Sequence, residues 1–200
     1  MPLFALLWLT VHVTSDIGEL ARRASGGEAA ATGELLRELE PLVVRTVRLI
    51  VGSGSWAAED AAQDALLDID RGIHALRDPE AVRAWAMRVA TQRAIKASRR
   101  ERLRLLRRAP NLDPELLAHP SDAAPGRAAA IKAAFDLLPP RLRATAVLRL
   151  HAGLSEAETA EALGCSLGTV KSNLHDARQR LAHSLREHGF EPTVMPKEAT

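Results

Sequence analysis

The sequence predicts an all-α protein made of two small helical domains joined by a proline-containing linker. Aromatic residues make up only 3% of the 200 residues, and tyrosine is absent. Helix-favouring residues such as alanine, leucine, arginine and glutamate dominate, and alternating β-branched runs typical of strands are hard to find. Four prolines between residues 110 and 125 cannot share one continuous helix, so they separate two helical blocks.

These patterns divide the chain into five segments. We expect an N-terminal extension (1–32), a first domain (33–103), a linker (104–126), a second domain (127–188) and a tail (189–200). The apolar run at residues 2–13 is too short to span a bilayer and lacks a basic leader. We therefore expect no membrane insertion, and this run is better explained as a docking segment or as an upstream extension than as a signal peptide.

Charge is distributed unevenly, although the net charge is only +2. Residues 56–70 carry five acidic side chains and no basic one, whereas residues 93–108 carry eight basic side chains and one acidic one. A solvated helix face is the default explanation for either block alone. Together the two blocks favour a basic protein partner for the first helix and nucleic acid for the second.

The residues that catalysis or metal binding would need are scattered or absent. Cys165 is the only cysteine, which excludes an internal disulfide and a cysteine-rich metal site and fits a reducing, cytoplasmic location. The seven histidines form no H-E-x-x-H pair, and the chain has no glycine-rich phosphate loop. We therefore expect no cofactor, no metal and no enzymatic activity.

Start and stop signals place the helices of the first domain. An apolar stripe over residues 35–51 predicts a helix that Pro41 interrupts, either as a kink or as a junction of two helices. Ser55 can cap the acidic helix at its positive end. Asp78, which precedes a proline, marks a further start, and we expect that helix to span residue 80 to about residue 100.

Residues 154–181 predict two helices joined by a short turn. Ser155 and Glu158 form a capping box, Gly164 ends the first helix, and Ser166 caps the second. On the first helix the expected buried residues are Ala157, Ala160 and Leu163. On the second helix they are Val170, Leu174, Ala177, Leu181 and Leu185. The opposite face of the second helix is polar and net basic, with Lys171, Ser172, Asn173, His175, Arg178 and Gln179. Such a face can reach phosphates and base edges, so a helix-turn-helix is favoured over a plain helical hairpin.

Three stretches, taken together, resemble a known family. Residues 58–67 read A-E-D-A-A-Q-D-A-L-L, residues 82–90 read V-R-A-W-A-M-R-V-A, and residues 137–172 include the helix-turn-helix. In this order, and with the linker between domains, they resemble the extracytoplasmic-function sigma factors, which are small two-domain initiation factors of bacterial RNA polymerase. The resemblance covers residues 34–185.

The resemblance implies a site for each partner. The positions that match the family's contacts with the clamp of the largest subunit of core RNA polymerase are Glu59, Asp60, Gln63 and Asp64. The positions that match contacts with the minus-10 promoter element are Arg83, Trp85, Arg88, Gln92, Arg93 and Lys96. The positions that match contacts with the minus-35 duplex are Arg149, Thr169, Lys171, Ser172, Asn173, His175 and Arg178. The polymerase flap and an anti-sigma factor are further partners that the family implies.

Some residues depart from the family pattern. Val82, Ala86 and Met87 stand where the family often has larger apolar or aromatic residues. Because stacking on an aromatic side chain is worth about 1 to 3 kcal/mol per base, we expect weaker capture of the opened strand. Asn173 and Asp176 stand where the family usually has basic residues, and the Asp176 carboxylate should repel phosphate.

The leading interpretation is a sigma factor that directs promoter-specific transcription initiation. One alternative is a degenerate sigma-like module that binds polymerase or an anti-sigma factor without opening promoters. Another is a stand-alone helix-turn-helix repressor, which would bind DNA without polymerase. The acidic first domain argues against the repressor, since such a protein needs no surface for a basic protein partner.

Overall fold

The structure is a computed structural model that describes residues 17–52, 55–108 and 127–190. These residues form eight α-helices and no strand, which confirms the predicted all-α class. The helices are α1 (Ile17–Ser25), α2 (Ala29–Val51), α3 (Trp56–Gly72), α4 (Val82–Arg108), α5 (Arg127–Asp136), α6 (Pro140–Ala146), α7 (Glu156–Leu163) and α8 (Leu167–Glu187). The predicted docking run at 2–13, the four prolines between 110 and 125 and the last ten residues of the predicted tail lie outside the described residues.

Helix α4 lies at the centre of the first domain and packs against both α2 and α3. Small side chains dominate its buried face, which includes Ala86, Ala90 and Ala94. Helix α3 has a similar row of buried alanines: Ala58, Ala61, Ala62 and Ala65. Larger buried side chains come from α2: Leu35, Leu39, Val43, Val47 and Ile50. The alanines allow close approach of the helix axes, and the α2 side chains fill the remaining volume.

Capping follows the predicted signals. Ser55 Oγ accepts a hydrogen bond from the Ala57 amide at 3.2 Å, and this contact begins α3. Asp78 Oδ1 accepts a hydrogen bond from the Glu80 amide at 3.1 Å, which begins a 3₁₀ turn at Pro79–Ala81. Each carboxylate or hydroxyl satisfies an amide that lacks a partner in the first turn of its helix.

The bounds of α4 differ from the prediction at both ends. The helix begins at Val82, after the 3₁₀ turn, and it continues to Arg108 beyond the predicted end near residue 100. Residues 101–108 consist of glutamate, arginine and leucine, which all favour helix. Because the first proline after them is Pro110, nothing in this stretch ends the helix earlier.

Pro41 lies inside α2, which is one continuous helix, so the predicted alternative of a junction between two helices is wrong. Pro41 and Arg37 are both exposed. The carbonyl of Arg37, which loses its helical donor at Pro41, can therefore bind water. Burial of Leu39 and Val43 on either side of the proline holds the helix together across it.

The second domain packs α5, α6 and α7 against α8. The predicted apolar stripe of α8 is buried at all five positions: Val170, Leu174, Ala177, Leu181 and Leu185. Helix α6 continues as a π-helical turn, Val147–His151, in which the Ala152 amide donates to the Val147 carbonyl at 2.9 Å. This turn was not predicted, because an apolar helical stripe does not distinguish π from α hydrogen bonding.

The two domains pack against each other and share one hydrophobic core. Helix α7 contacts α4, and the π-helical turn contacts α2. His151 lies at this junction, and neither of its ring nitrogens has a hydrogen-bond partner. Burial, together with the positive charges of Arg45 and Arg83, lowers the pKa of His151 to about 4. The histidine is therefore neutral at the junction at neutral pH.

We expect His151, whose ring nitrogens are buried, to make stability depend on pH. The unfolded chain takes up a proton near pH 6.5, whereas the folded chain takes it up only near pH 4, so the free energy of unfolding falls as pH decreases between these values. At about pH 5 the loss should be about 2 kcal/mol. Urea unfolding of the wild type and of His151→Leu at about pH 7.5 and about pH 5 measures this difference.

The control for this prediction is His183→Leu, because His183 is exposed on α8. That variant should keep the pH dependence of the wild type. In His151→Leu, the difference in free energy of unfolding between the two pH values should be smaller by about 2 kcal/mol. Identical pH profiles for the wild type and His151→Leu would contradict the assignment.

Candidate functional site

Helix α8 presents a polar face to solvent. Lys171, Ser172 and His175 are all exposed on the side opposite the buried stripe. The Lys171 ammonium lies 3.6 Å from a Glu156 carboxylate oxygen, and the side chain of Lys171 is 67% exposed. An exposed pair of this kind contributes at most about 1 kcal/mol, so a phosphate can replace the glutamate.

The turn before α8 has helix-turn-helix geometry. The capping box is present, because Ser155 Oγ accepts a hydrogen bond from the Glu158 amide at 3.2 Å and the Glu158 carboxylate accepts one from the Ser155 amide at 2.7 Å. These hydrogen bonds lower the pKa of Glu158. Gly164 ends α7 with a φ of 62°, which is the left-handed conformation that glycine adopts most readily. Ser166 Oγ then accepts from the Thr169 amide at 3.1 Å and begins α8.

The buried face of α7 differs from the prediction. Ala160 is buried and Leu163 is partly buried, as expected, but Ala157 is exposed. Thr159 and Ala162 are buried instead. The cause is a second neighbour, since α7 packs against α4 as well as α8 and its buried side is therefore wider than a two-helix motif requires.

Several residues of the predicted minus-35 set are bound within the second domain. The Arg149 guanidinium donates to the Leu154 carbonyl. Asn173 Nδ2 lies 3.5 Å from Thr145 Oγ1. The remaining half-buried members are Thr169 and Arg178. The exposed part of the predicted set is therefore limited to Lys171, Ser172 and His175.

Helix α4 has two exposed residues of the predicted minus-10 set, Gln92 and Lys96, and neither has a hydrogen-bond or ion-pair partner among the described residues. Arg93 points toward α3 instead. Its Nε donates to Asp68 Oδ2 at 2.6 Å, and its Nη1 lies 3.4 Å from Asp64 Oδ2. The hydrogen bond to Asp68 raises the pKa of Arg93 above its ordinary value. Arg93 thus links α3 to α4 in this arrangement.

Two further residues of the minus-10 set reach across to the second domain. Arg83 Nη2 donates to the Ala152 carbonyl at 3.1 Å. Arg88 pairs with Glu161 on the outer side of α7. The first helix of the helix-turn-helix therefore covers part of the α4 face that was predicted to take up the minus-10 element.

The apolar residues on this part of α4 belong to the core. Val82, Ala86 and Met87 are fully buried, so none of them can stack on a base in this arrangement. Trp85 is half-buried, and its ring contacts Gly72 at the end of α3. A Cβ added at Gly72 would lie 2.8 Å from Trp85 Cζ2, which means that only glycine leaves room for the ring.

The acidic helix α3 has both paired and free residues. Glu59 accepts hydrogen bonds from Arg48 of α2, at 2.7 Å and 3.1 Å. Asp64 and Asp68 face Arg93 on the other side. Asp60 and Gln63 lie on the helix face between these two sets of ion pairs. Both are exposed, and neither has a hydrogen-bond or ion-pair partner within the described part of the chain. Of the predicted polymerase contacts, these two are therefore immediately available.

The intramolecular partners of the predicted DNA-binding arginines could not be predicted from the sequence. Glu161 lies 73 residues from Arg88, and the Ala152 carbonyl lies 69 residues from Arg83. No periodicity or motif connects positions so far apart, and a backbone carbonyl has no sequence signature. These pairs follow only from how the two domains pack.

Comparisons with known proteins agree with this architecture. The family model of Sigma-70 region 2 matches residues 35–104, and that of Sigma-70, region 4 matches residues 128–181. The ECF RNA polymerase sigma factor SigM of Mycobacterium tuberculosis is 34% identical over 176 residues, which cover 87% of this chain and 86% of SigM. The chain belongs to the extracytoplasmic-function sigma factors. It is therefore a factor that directs transcription initiation.

Other sigma factors extend the comparison. SigE of Mycolicibacterium smegmatis is 33% identical over 179 residues, which cover 84% of this chain and 67% of SigE. The sigma factor RpoE, solved with the anti-sigma factor NepR from Bartonella quintana, shares the fold with a TM-score of 0.62 and 24% identity, over 77% of this chain and 96% of RpoE. CnrH, solved with the cytosolic domain of CnrY, gives a TM-score of 0.60 and 22% identity, over 86% of this chain and 99% of CnrH.

Membrane-spanning helices and metal-binding clusters are two other kinds of feature. Among the described helices of this sigma factor, none combines the length and the apolar character that crossing a bilayer would require. The described residues also contain no cluster of three or more histidine, cysteine, aspartate or glutamate side chains suited to a metal ion.

We expect Glu161→Arg to weaken the contact between α7 and α4, because it places a second positive charge opposite Arg88. The exposed ion pair contributes about 1 kcal/mol. The ratio of chains with separated domains to chains with packed domains should therefore rise about fivefold. Hydrogen exchange at the α4-facing residues of α7 measures the change, because exchange reports a minor population with separated domains.

Two variants control this prediction. Glu156→Arg changes the same helix but faces Lys171, so it should leave exchange at the α4-facing residues of α7 unchanged. The double variant Arg88→Glu with Glu161→Arg should restore the wild-type value, because it reverses the pair and keeps the attraction. Failure of the double variant to restore it would show that the pair does not hold the domains together.

Proposed function

We propose that this sigma factor binds core RNA polymerase through α3 and reads promoters through α4 and α8. The observation that carries this proposal is the exposed strip of α3 at Asp60 and Gln63, two positions that match the family's contacts with the polymerase clamp. Their neighbours Glu59 and Asp64 already have intramolecular partners. The second domain would bind the polymerase flap, as the family resemblance implies.

For the minus-35 element, we propose contact through the exposed side of α8. Lys171 would bind phosphate, while Ser172 and His175 lie one turn or less away on the same exposed side and can donate or accept hydrogen bonds at base edges. The other members of the predicted set are only half-exposed: Arg149, Thr169, Asn173 and Arg178. We propose that they position α8 and contact the duplex only at its margins.

For the minus-10 element, we propose that α7 leaves α4 before the opened strand binds. Gln92 and Lys96 are accessible in the packed arrangement, whereas Arg83 and Arg88 are engaged with the second domain. Separation of the domains would free both arginines and the exposed part of Trp85. Polymerase binding can drive this change only if it favours the separated chain.

A second function, a degenerate sigma-like module, is favoured by one observation. Val82, Ala86 and Met87 are buried, so α4 has few apolar groups with which to hold unstacked bases. Run-off transcription with core polymerase separates the two functions. A promoter-dependent transcript supports initiation, whereas polymerase binding without a transcript supports the module. A tight, sequence-specific gel shift without polymerase would instead support a repressor.

We propose an anti-sigma factor as a further partner, because one solved relative, RpoE, is bound to the anti-sigma factor NepR. We further propose that the chain acts in the cytoplasm, where bacterial polymerase is found, and that it needs no cofactor. In this proposal the polymerase supplies the catalysis and the sigma factor supplies binding energy and position.

We expect Asp60→Arg to weaken binding to core polymerase by more than tenfold, because it replaces an unpaired negative charge with a positive one at the proposed interface. The free energy of unfolding should change by less than about 0.5 kcal/mol, since Asp60 is exposed and has no partner. Co-purification and titration with core polymerase measure the effect. Glu34→Arg is the matched control, because Glu34 is an exposed acid on α2. Equal affinities for the two variants would contradict the docking role of Asp60.

We expect opposite effects from two substitutions on the exposed face of α8. Lys171→Ala should weaken binding to all minus-35 duplexes and reduce the salt slope by about one unit. Asp176→Arg should strengthen binding, and the gain should shrink as salt is added. Fluorescence anisotropy with the full-length chain measures both. Glu187→Arg, at the far end of α8, should change affinity by less than about twofold. A loss of affinity in Asp176→Arg would mean that Asp176 accepts a hydrogen bond from a base.

A further inference from the structure

Helix α3 exposes two large apolar side chains on the face that carries its free polar residues. Trp56 is 63% exposed and Leu67 is 44% exposed. Residues 56, 60, 63 and 67 are spaced by four, three and four positions, which places Trp56, Asp60, Gln63 and Leu67 on one stripe of the helix. The stripe is about 16 Å long, with an apolar residue at each end and polar residues between them.

The ring of Trp56 is held in place although it is exposed. The Arg104 guanidinium of α4 lies over the ring, 5.2 Å from its centroid. A cation–π contact of this kind restricts the ring without covering its other face. A partner that binds Trp56 therefore loses little side-chain entropy, which is the condition under which an exposed tryptophan contributes most to affinity.

The charges around the stripe limit what can cover it. Asp60 is unpaired, and Asp70 near the end of the helix is likewise exposed with no partner among the described residues. Nucleic acid is disfavoured as an occupant, because its phosphates would meet these carboxylates along the stripe. A second copy of the same stripe is disfavoured, because it would bring the same acids together. A basic partner surface with apolar groups fits both the charge and the exposed side chains.

We propose that Trp56 and Leu67 are the apolar anchors of the polymerase-docking surface, and that they hold a basic amphipathic helix of the clamp along the α3 stripe. This inference rests on the proposed function and adds to it two contact residues that the resemblance did not supply. Asp60 and Gln63 bind between the anchors. Arg104 is a positioning residue that fixes the orientation of Trp56.

Affinity for core polymerase, measured by titration with the full-length chain, tests the proposal. Trp56→Ala should weaken binding about thirtyfold, as truncation of an anchoring tryptophan does in other interfaces. Leu67→Ala should weaken it about fivefold, and Trp56→Phe should retain most of the affinity because a ring remains. Arg104→Ala should weaken it about threefold, since the Trp56 ring loses its fixed orientation.

Matched controls come from exposed leucines outside the stripe. Leu103 on α4 is 49% exposed, and Leu137 after α5 is 59% exposed. Leu103→Ala and Leu137→Ala should change the affinity by less than about twofold. Equal losses in Leu103→Ala and Leu67→Ala would overturn the proposal, because they would show a general effect of removing surface apolar groups.

A spectroscopic measurement tests contact at Trp56 directly. The chain labelled with 7-azatryptophan can be excited separately from the polymerase, and Trp56→Phe identifies the signal of that position. In the free chain this signal should be quenched readily by acrylamide, and in the complex it should be protected. An unchanged quenching constant in the complex would overturn the proposal even if a truncation variant failed to fold.

The outcomes also distinguish this inference from the proposed function. If Asp60→Arg abolishes binding while Trp56→Ala binds as the wild type does, the sigma-factor function stands and the apolar anchors are wrong. If the wild-type chain does not bind core polymerase, the proposed function fails and the inference fails with it. Weakened binding in Trp56→Ala, with the controls unchanged and Trp56 protected, supports both.

Discussion

The packing of α4 against α2 and α3 is the interaction on which the rest of the structure depends. Its buried alanines allow the helices to approach closely, and Arg93 joins it to Asp64 and Asp68 on α3. Because one side of α4 is fixed in this way, the opposite side is directed toward α7. The same helix therefore organises the core of the first domain and determines where its arginines meet the second.

Many charged residues in this sigma factor have intramolecular partners, but these partners differ in how easily they can be exchanged. The exposed pair between Lys171 and Glu156 stabilises the chain by at most about 1 kcal/mol, so DNA can replace it without large motion. Arg83 and Arg88 are different, because freeing them also separates apolar surfaces that the two domains share. That separation requires a partner with a substantially higher affinity for the open chain.

The three proposed faces are consequently unequal in the packed chain. The α3 stripe and the outer side of α8 are open, while the α4 face is partly covered by α7. Such an arrangement suits an ordered assembly in which polymerase is bound first and the opened strand last. It also limits non-specific binding of nucleic acid by Arg83 and Arg88 while the factor is free, since Arg83 is hydrogen-bonded to the Ala152 carbonyl and Arg88 is paired with Glu161.

Helix class, caps and turns were determined by the sequence itself, because they depend on groups that lie within a few residues of one another. Ser155, Glu158, Gly164 and Ser166 behave as predicted, and the α8 stripe is buried throughout. Only the tertiary structure decided which charged residues remain free. Arg88 and Glu161 are far apart in sequence, and an arginine that binds DNA has the same local pattern as one that binds a carboxylate. Their pairing depends on how two separately predictable domains pack, and that packing is set by surface complementarity that no local spacing records.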